Sequence, residues 1–71
     1  MPESNNKYLV ILGLASSGES TLKYFLNNRI NILAWDDDKS IRNKIKKKYK
    51  KILLQNIYSI DPKKIFMIIV S

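Results

Sequence analysis

The sequence predicts an α/β fold, in which a parallel sheet of about four strands packs against two main helices. Residues 7–12 and 65–70 are almost wholly apolar, which is typical of strands that are buried on both faces of a parallel sheet. Between these two apolar runs, segments with helical periodicity alternate with shorter apolar segments. Because alternating strands and helices imply right-handed crossovers, the expected strand order is 3-2-1-4.

The first strand is expected at Lys7–Leu12 and the first helix directly after a glycine turn. Gly13 ends the apolar run, and a tight exit from a strand is a common use of glycine. Ser16 and Glu19 have the spacing of a capping box, in which two side chains bond the free amides at a helix start. The helix should therefore begin at Ser16 or Ser17.

The next strand and helix follow after an asparagine pair. Asn27-Asn28 suits the end of the first helix, because asparagine tolerates the left-handed backbone conformation. The alternating segment Ile30–Trp35 predicts the second strand. Asp38 or Ser40 can cap a second helix. The apolar stripe of that helix consists of Ile41, Ile45 and Tyr49.

The last part of the chain contains two more predicted strands. Ile52–Leu54 is a short third strand, Asn56–Asp61 is a connection, and Ile65–Val70 has the pattern of a central strand. The result is a Rossmann-like half domain. Since right-handed crossovers put both helices on one face, we expect residues 55–64 to leave the other face uncovered. An exposed apolar face of that kind predicts that the chain is the front part of something larger.

The composition excludes several classes of function. The 71 residues contain no cysteine and no histidine, so disulfides, the usual zinc sites and catalysis by either side chain are excluded. No apolar run approaches the roughly 20 residues that span a bilayer, and the amino terminus lacks the pattern of an export signal. We therefore expect a cytoplasmic protein with no membrane partner.

The net charge of +7 comes from one segment. Residues 39–51 hold eight basic side chains and no acidic one, while the rest of the chain has five basic and six acidic residues. A solvated helix face with a compositional bias toward lysine is the favoured interpretation. A nucleic-acid-binding surface at Arg42–Lys51 is the alternative, but Tyr49 is its only aromatic residue, so nucleic acid is not the expected partner.

The glycine turn GLASSG, residues 13–18, is one glycine short of the dinucleotide-binding pattern G-x-G-x-x-G. A turn of this kind leads into a helix amino terminus, where backbone N–H groups favour a phosphate. Ala15 replaces the glycine that lets a pyrophosphate approach the backbone, which disfavours a dinucleotide. Asp36 follows the second strand, where such folds hold sugar hydroxyls or a base. A structural turn without a ligand remains an alternative. For Asp38, helix capping is the favoured role, whereas Asp36 is expected to contact the ligand.

The segments VILGLASSGESTLKYFLNN, INILAWDDD and IFMIIVS resemble the N-terminal domain of the Mur ligases, in particular of their D-glutamate-adding members. The resemblance covers residues 7–38 and 64–71. It implies that residues 1–71 are the N-terminal domain that binds UDP-N-acetylmuramoyl-L-alanine during peptidoglycan synthesis. Together, the turn and the resemblance assign the UDP-substrate-binding site to Gly13, Ala15, Ser16, Ser17, Gly18, Asp36, Asp37 and Ser71.

The resemblance also implies where the chemistry takes place. In the family, ATP and Mg²⁺ act in a central domain and the amino acid binds to a C-terminal domain, and neither domain is recognisable in this sequence. We therefore expect an incomplete N-terminal domain without catalytic residues, metal or cofactor of its own, which needs the ligase domains or a second chain. Two alternatives are the nucleotide-binding start of a NAD(P)- or FAD-dependent oxidoreductase, with Asp36 on the ribose, and a chain without function.

Overall fold

A computed structural model describes residues 7–28 and 30–71 of the chain. The predicted α/β half domain is confirmed, and no predicted strand begins more than one residue from its expected start. The elements in chain order are β1 (Tyr8–Leu12), α1 (Ser16–Leu26), β2 (Asn31–Trp35), α2 (Lys39–Lys48), β3 (Leu53–Leu54), 3₁₀ turns at Ile57–Ser59 and Pro62–Lys64, and β4 (Ile65–Val70).

All four strands are parallel and lie in the predicted order β3-β2-β1-β4. In the register of the sheet, Leu12 lies beside Trp35 on one side and beside Val70 on the other. The carboxyl ends of β1, β2 and β4 therefore meet at one edge of the sheet, which we call the carboxyl edge. Ligands of open α/β sheets bind at this edge.

Both helices pack on one face of the sheet. Leu22 of α1 and Ile45 of α2 are buried against Ile11 and Ala34 of the central strands. The apolar stripe predicted for α2 is confirmed, since Ile41 and Tyr49 pack against the same cluster. Each fully buried aliphatic side chain contributes about 1.5–3 kcal/mol relative to exposure. This helix-side core fixes α1 against the end of β1. Neither of the two described helices is long and apolar enough to cross a membrane.

The opposite face of the sheet is covered at its centre, so the prediction of an uncovered face is wrong there. Val10 and Leu33 point away from the helices and have no exposed surface. Because β3 and β4 lie at opposite edges, residues 55–64 must cross the sheet to join them. Ile57 and Ile60 of this connection are half-buried. The apolar side chains of the connection that lose exposure are thus in or next to the first 3₁₀ turn, a short element that a search for helical periodicity does not reveal.

The exposed apolar surface is instead concentrated on β4. This strand pairs with β1 alone among the described strands, so its pattern of a central strand was misleading. Met67 is 45% exposed, Ile68 48% and Val70 74%. An apolar run therefore does not distinguish a central strand from an edge strand whose outer side is open.

Asp38 caps α2, as predicted. Its Oδ1 accepts hydrogen bonds from the backbone N–H groups of Ser40 and Ile41 and from the Ser40 hydroxyl. Hydrogen bonds from the Ser40 side chain and backbone hold the pKa of Asp38 below its ordinary value. Asp38 therefore starts the helix, and the position of the β2–α2 loop follows from this cap.

Candidate functional site

The glycine turn and the end of β4 form a tight junction at the carboxyl edge. Gly13 has φ +92°, a conformation that other residues rarely adopt, and its N–H donates to the carbonyl of Trp35 at 2.9 Å. Ser71 donates its N–H to the carbonyl of Leu12 at 2.9 Å and its hydroxyl to the carbonyl of Gly13 at 3.1 Å. The turn is therefore fixed from both neighbouring strands.

Gly18 brings the first turn of α1 against this junction. A Cβ at Gly18 would overlap the carbonyl group of Gly13 and lie 2.8 Å from Oγ of Ser71. The Ser17 hydroxyl donates to Oγ of Ser71 at 3.3 Å. Four of the predicted site residues are thus in mutual contact. The close packing also means that both glycines are required by the fold, whether or not a ligand binds.

The amino end of α1 has no side-chain cap, so the predicted capping box is wrong. Ala15 is the N-cap residue with an extended backbone, and α1 begins at Ser16. Ala15 has no side-chain oxygen with which to accept a first-turn N–H, and Ala15 and Ser16 are both exposed. Within the described residues the first-turn amide groups therefore have no side-chain acceptor, and the positive end of the helix dipole lies at the carboxyl edge.

Glu19 does not reach back to the helix start because it is held from the other side. The Tyr49 hydroxyl donates to Oε2 of Glu19 at 2.7 Å, and Nζ of Lys48 lies 3.2 Å from the same oxygen. The hydrogen bonds from Tyr49 and Lys48 lower the pKa of Glu19, and the bond to Glu19 raises the pKa of Tyr49 to about 12. The negative charge of Glu19 is therefore compensated by α2.

Asp36 joins the two loops of the carboxyl edge. Its Oδ2 accepts from the backbone N–H of Leu14 and its Oδ1 from the backbone N–H of Asp38, both at 2.8 Å. Each carboxylate oxygen therefore already has a partner within the protein. The ligand contact predicted for Asp36 remains a prediction, but a bracing role between residues 14 and 38 is evident in the geometry.

Asp37 belongs to a second group of contacts, around Trp35. The indole Nε1 donates to Oδ1 of Asp37 at 3.0 Å, and the Arg42 guanidinium carbon lies 4.3 Å from the centroid of the Trp35 ring. Nη1 of Arg42 also donates to the carbonyl groups of Asp36 at 2.8 Å and Asp37 at 3.0 Å. Sequence reasoning treated Arg42 only as part of the basic segment and missed this role.

A cavity of about 330 Å³ opens beside this group. It lies at the ends of β1 and β2, next to the glycine turn, and its other wall is the first 3₁₀ turn. The lining residues are Leu12, Gly13, Trp35, Asp36, Asp37, Asn56, Ile57 and Tyr58. Leu12 and Trp35 were predicted only as strand residues, and the last three were predicted only as part of a connection. Their only signal in the sequence was that the connection after β3 has to pass the carboxyl edge.

All of the predicted site residues thus lie along one edge of the sheet. Gly13, Ser17, Gly18 and Ser71 form one contact cluster, Asp36 reaches it through the amide of Leu14, and Asp37 lines the cavity. Ala15 and Ser16 lie exposed at the start of α1. In residues 7–28 and 30–71 no group of three or more acidic side chains is arranged to hold a metal ion.

The fold and the site define a class: a Rossmann-like α/β half domain with a glycine turn, an uncapped helix terminus and an acidic cavity at the carboxyl edge. No protein-family model, curated protein or solved structure matches the chain significantly.

Proposed function

We propose that this chain binds the UDP part of UDP-N-acetylmuramoyl-L-alanine, as the N-terminal domain of an ATP-dependent, D-glutamate-adding ligase of peptidoglycan synthesis in the cytoplasm. One observation carries the proposal. An uncapped helix amino terminus and an acidic cavity lie next to each other along the carboxyl edge. The helix terminus favours a negatively charged group, whereas the cavity favours groups that donate hydrogen bonds. A nucleoside diphosphate has phosphates at one end and a nucleoside with N–H and O–H donors at the other.

The diphosphate occupies the amino end of α1. The first-turn N–H groups have no side-chain acceptor there, and the helix dipole favours an anion. The Ser17 hydroxyl lies at the same place, and its proton can turn from Oγ of Ser71 to a phosphate oxygen, while the Ser71 hydroxyl stays bonded to the carbonyl of Gly13. Since Glu19 is paired with Lys48 and Tyr49, its charge opposes the phosphate less than its sequence position suggests.

The uridine occupies the cavity between Trp35 and the first 3₁₀ turn. Asp36 and Asp37 line this cavity, and their negative charge repels phosphate. Oδ2 of Asp37 has no partner within the described residues, so it can accept a hydrogen bond from an N–H or O–H group. A nucleoside supplies such donors on its base and on its ribose. The polarity of the carboxyl edge therefore orients the ligand, with the phosphates toward α1 and the base toward Asn56.

The particular substrate and reaction rest on the resemblance to the Mur ligases in the segments that end at Gly18, Asp37 and Ser71. In this proposal the chain binds and orients the substrate, while ATP and Mg²⁺ act in domains outside this sequence. Its own residues hold the nucleotide end, which leaves the muramoyl end of the substrate free to reach those domains.

A dinucleotide is the main alternative ligand, and two features disfavour it. Ala15 has a methyl group where the dinucleotide-binding turn has glycine, which disfavours a dinucleotide that lies tightly across the turn. Both carboxylate oxygens of Asp36 already accept backbone N–H groups, which leaves the carboxylate less available for ribose hydroxyls. The start of a NAD(P)- or FAD-dependent oxidoreductase is therefore the second candidate.

The surface around α2 favours a third candidate, a nucleic-acid-binding module. Lys46, Lys47 and Lys50 border a groove of about 790 Å³ between α2 and β3. The floor of the groove is largely aliphatic, however, and the hydroxyl of Tyr49 is committed to Glu19. We expect no binding of a 20-nucleotide DNA strand, even at low salt, where phosphate contacts are strongest.

The proposal is tested by titrating UDP and NAD⁺ separately into the ¹⁵N-labelled 71-residue chain. UDP should shift the amide signals of residues 13–18 and change the fluorescence of Trp35, which is the only tryptophan and lines the cavity. Uridine alone should change the fluorescence with a much weaker effect on residues 13–18. Amide shifts with NAD⁺ and none with UDP would overturn the proposal in favour of a dinucleotide.

A further inference from the structure

The wall of the cavity formed by the first 3₁₀ turn carries a hydrogen-bond donor that the fold leaves unused. Oδ1 of Asn56 accepts the backbone N–H of Tyr58 at 2.9 Å, and the same side chain caps the turn. That contact fixes the orientation of the amide, because Nδ2 cannot face another N–H group. Within the described residues Nδ2 has no hydrogen-bond partner, and Asn56 is one of the residues that line the cavity.

The other wall carries a matching acceptor. Oδ1 of Asp37 is taken by the indole N–H of Trp35 at 3.0 Å, while Oδ2 has no partner within the described residues. The Asp37 backbone is held as well, since its carbonyl accepts from Arg42 at 3.0 Å. Within the described residues, each of these two cavity-lining side chains thus has one polar atom held by the protein and one without a partner, an acceptor on Asp37 and a donor on Asn56.

This pair of groups distinguishes one class of nucleobase from another. Uracil has a ring N–H between two carbonyl groups, so it can donate to a carboxylate and accept from an amide side by side. Cytosine has an unprotonated ring nitrogen at the same position and an amino group in place of one carbonyl. A carboxylate facing that ring nitrogen would bring two acceptors together, which costs the hydrogen bond and adds repulsion.

We propose that Asn56 and Asp37 determine the base specificity of this cavity: Oδ2 of Asp37 accepts the ring N–H of a uracil-type base, and Nδ2 of Asn56 donates to the adjacent carbonyl oxygen. The inference rests on the proposed function, because it concerns the nucleoside half of the same site. It adds a residue, Asn56, that neither the glycine turn nor the resemblance assigns.

The test exchanges a single functional group. Asn56→Asp retains an oxygen that accepts the N–H of Tyr58, and so retains the turn, but it replaces the donor with an acceptor. UDP and CDP, which have the same phosphate groups, are titrated into wild type and variant and followed by Trp35 fluorescence. Wild type should prefer UDP, and the variant should lose about tenfold in UDP affinity, the effect of about one hydrogen bond to a polar group. CDP affinity should stay the same or rise.

Asn31→Asp is the matched control, because it makes the same substitution and charge change at the exposed amino end of β2, the opposite end of that strand from the cavity. It should leave the preference for UDP unchanged. Circular dichroism of all three proteins establishes that they are equally folded. If wild type binds UDP and CDP equally, or if Asn56→Asp keeps the wild-type preference, the inference is wrong and the proposed function stands. If UDP does not bind wild type at all, the proposed function itself is wrong.

Discussion

The backbone N–H of Leu14 donates to Oδ2 of Asp36 at 2.8 Å, although the two residues are 22 positions apart. This bond ties the glycine turn after β1 to the loop after β2, and Oδ1 of the same carboxylate binds the N–H of Asp38. One side chain thus sets the distance between the two parts of the carboxyl edge. The geometry of the site depends on it even if Asp36 never touches a ligand.

Asp36→Asn should therefore destabilise the fold by about 1–3 kcal/mol, the range for a lost charge-assisted hydrogen bond. An amide can present only one acceptor oxygen, so its NH₂ group would face the N–H of Leu14 or of Asp38. Urea unfolding followed by Trp35 fluorescence measures the loss. Asp61→Asn is the control, since Asp61 accepts only one backbone N–H, from Lys63, and an amide oxygen can replace it. Equal losses in the two variants would contradict the bracing role.

Gly18→Ala should destabilise the chain, although Gly18 lies in a helix. Helix propensity alone would favour alanine over glycine by about 1 kcal/mol. A Cβ at this position would overlap the carbonyl of Gly13 and press on Oγ of Ser71, and overpacking of that kind costs about 1–3 kcal/mol or more. The steric overlap should therefore outweigh the gain in helix propensity, and urea unfolding should show a net decrease in the free energy of unfolding.

Ser20→Ala provides the comparison for Gly18→Ala, because Ser20 is exposed on the same helix and bonds only the carbonyl of Ser16. Alanine at that position should change stability by no more than about 0.5 kcal/mol, the usual range for surface substitutions. A stabilising Gly18→Ala would show that α1 packs less closely on the glycine turn than described.

The contact between Tyr49 and Glu19 makes stability depend on pH at both extremes. The pKa of Tyr49 is raised from 10.0 to about 12, so its stabilising contribution is complete below pH 10 and is lost as the pH rises toward 12. The pKa of Glu19 is lowered from 4.5, so its contribution is present above pH 4.5 and is lost as the pH falls through the lowered value.

A titration of tyrosine absorbance at 295 nm should therefore contain one late transition near pH 12, from one of the four tyrosines. Tyr49→Phe should remove that transition, and the stability difference between this variant and wild type should shrink between pH 10 and 12. Tyr58→Phe changes a tyrosine that is 94% exposed and should leave the transition in place. A late transition that persists in Tyr49→Phe would contradict the assignment to Tyr49.

The parts of the fold that depend on local pattern were predictable from the sequence. The apolar runs predicted the strands, and Asp38 predicted the start of α2. The alternation of strands with helices predicted the parallel sheet and its strand order. Gly13 and Gly18 were recognised as a turn because glycines at that spacing follow a strand and open a helix. In these cases the physical cause lies within about ten residues of the feature it determines.

Features that depend on distant partners were not predictable. Glu19 has the spacing of a capping box, but its carboxylate binds the hydroxyl of Tyr49 instead. Tyr49 is 30 positions away in the sequence, so local spacing does not reveal this contact. The bracing role of Asp36 was missed because nothing in the sequence reveals the amide of Leu14 as its partner. Asn56 was placed in a connection without a role, since only the crossing of residues 55–64 brings it to the cavity.

Ala15→Asp should raise stability and lower UDP affinity at the same time, which distinguishes a phosphate site from an ordinary helix start. Ala15 has the extended backbone of an N-cap residue without a side chain that can cap. A carboxylate there should gain about 0.5–2 kcal/mol of stability by accepting a first-turn N–H. It would also occupy the amides proposed to hold the diphosphate and repel the phosphates, so UDP affinity should fall at least about tenfold. Uridine, which has no phosphate, should bind as before.

Asn27→Asp introduces the same charge at the other end of α1, about 18 Å from position 15 along the helix axis. There the carboxylate opposes the helix dipole, so stability should fall by about 0.3–1 kcal/mol. UDP affinity should change by less than about twofold, because salt screens exposed charges beyond about 8 Å. Ala15→Asp should thus raise stability and lower UDP affinity, while Asn27→Asp should leave UDP affinity nearly unchanged. That combination requires the phosphates to lie at the amino end of α1. Equal UDP affinity in both variants would exclude that location, whatever else the cavity binds.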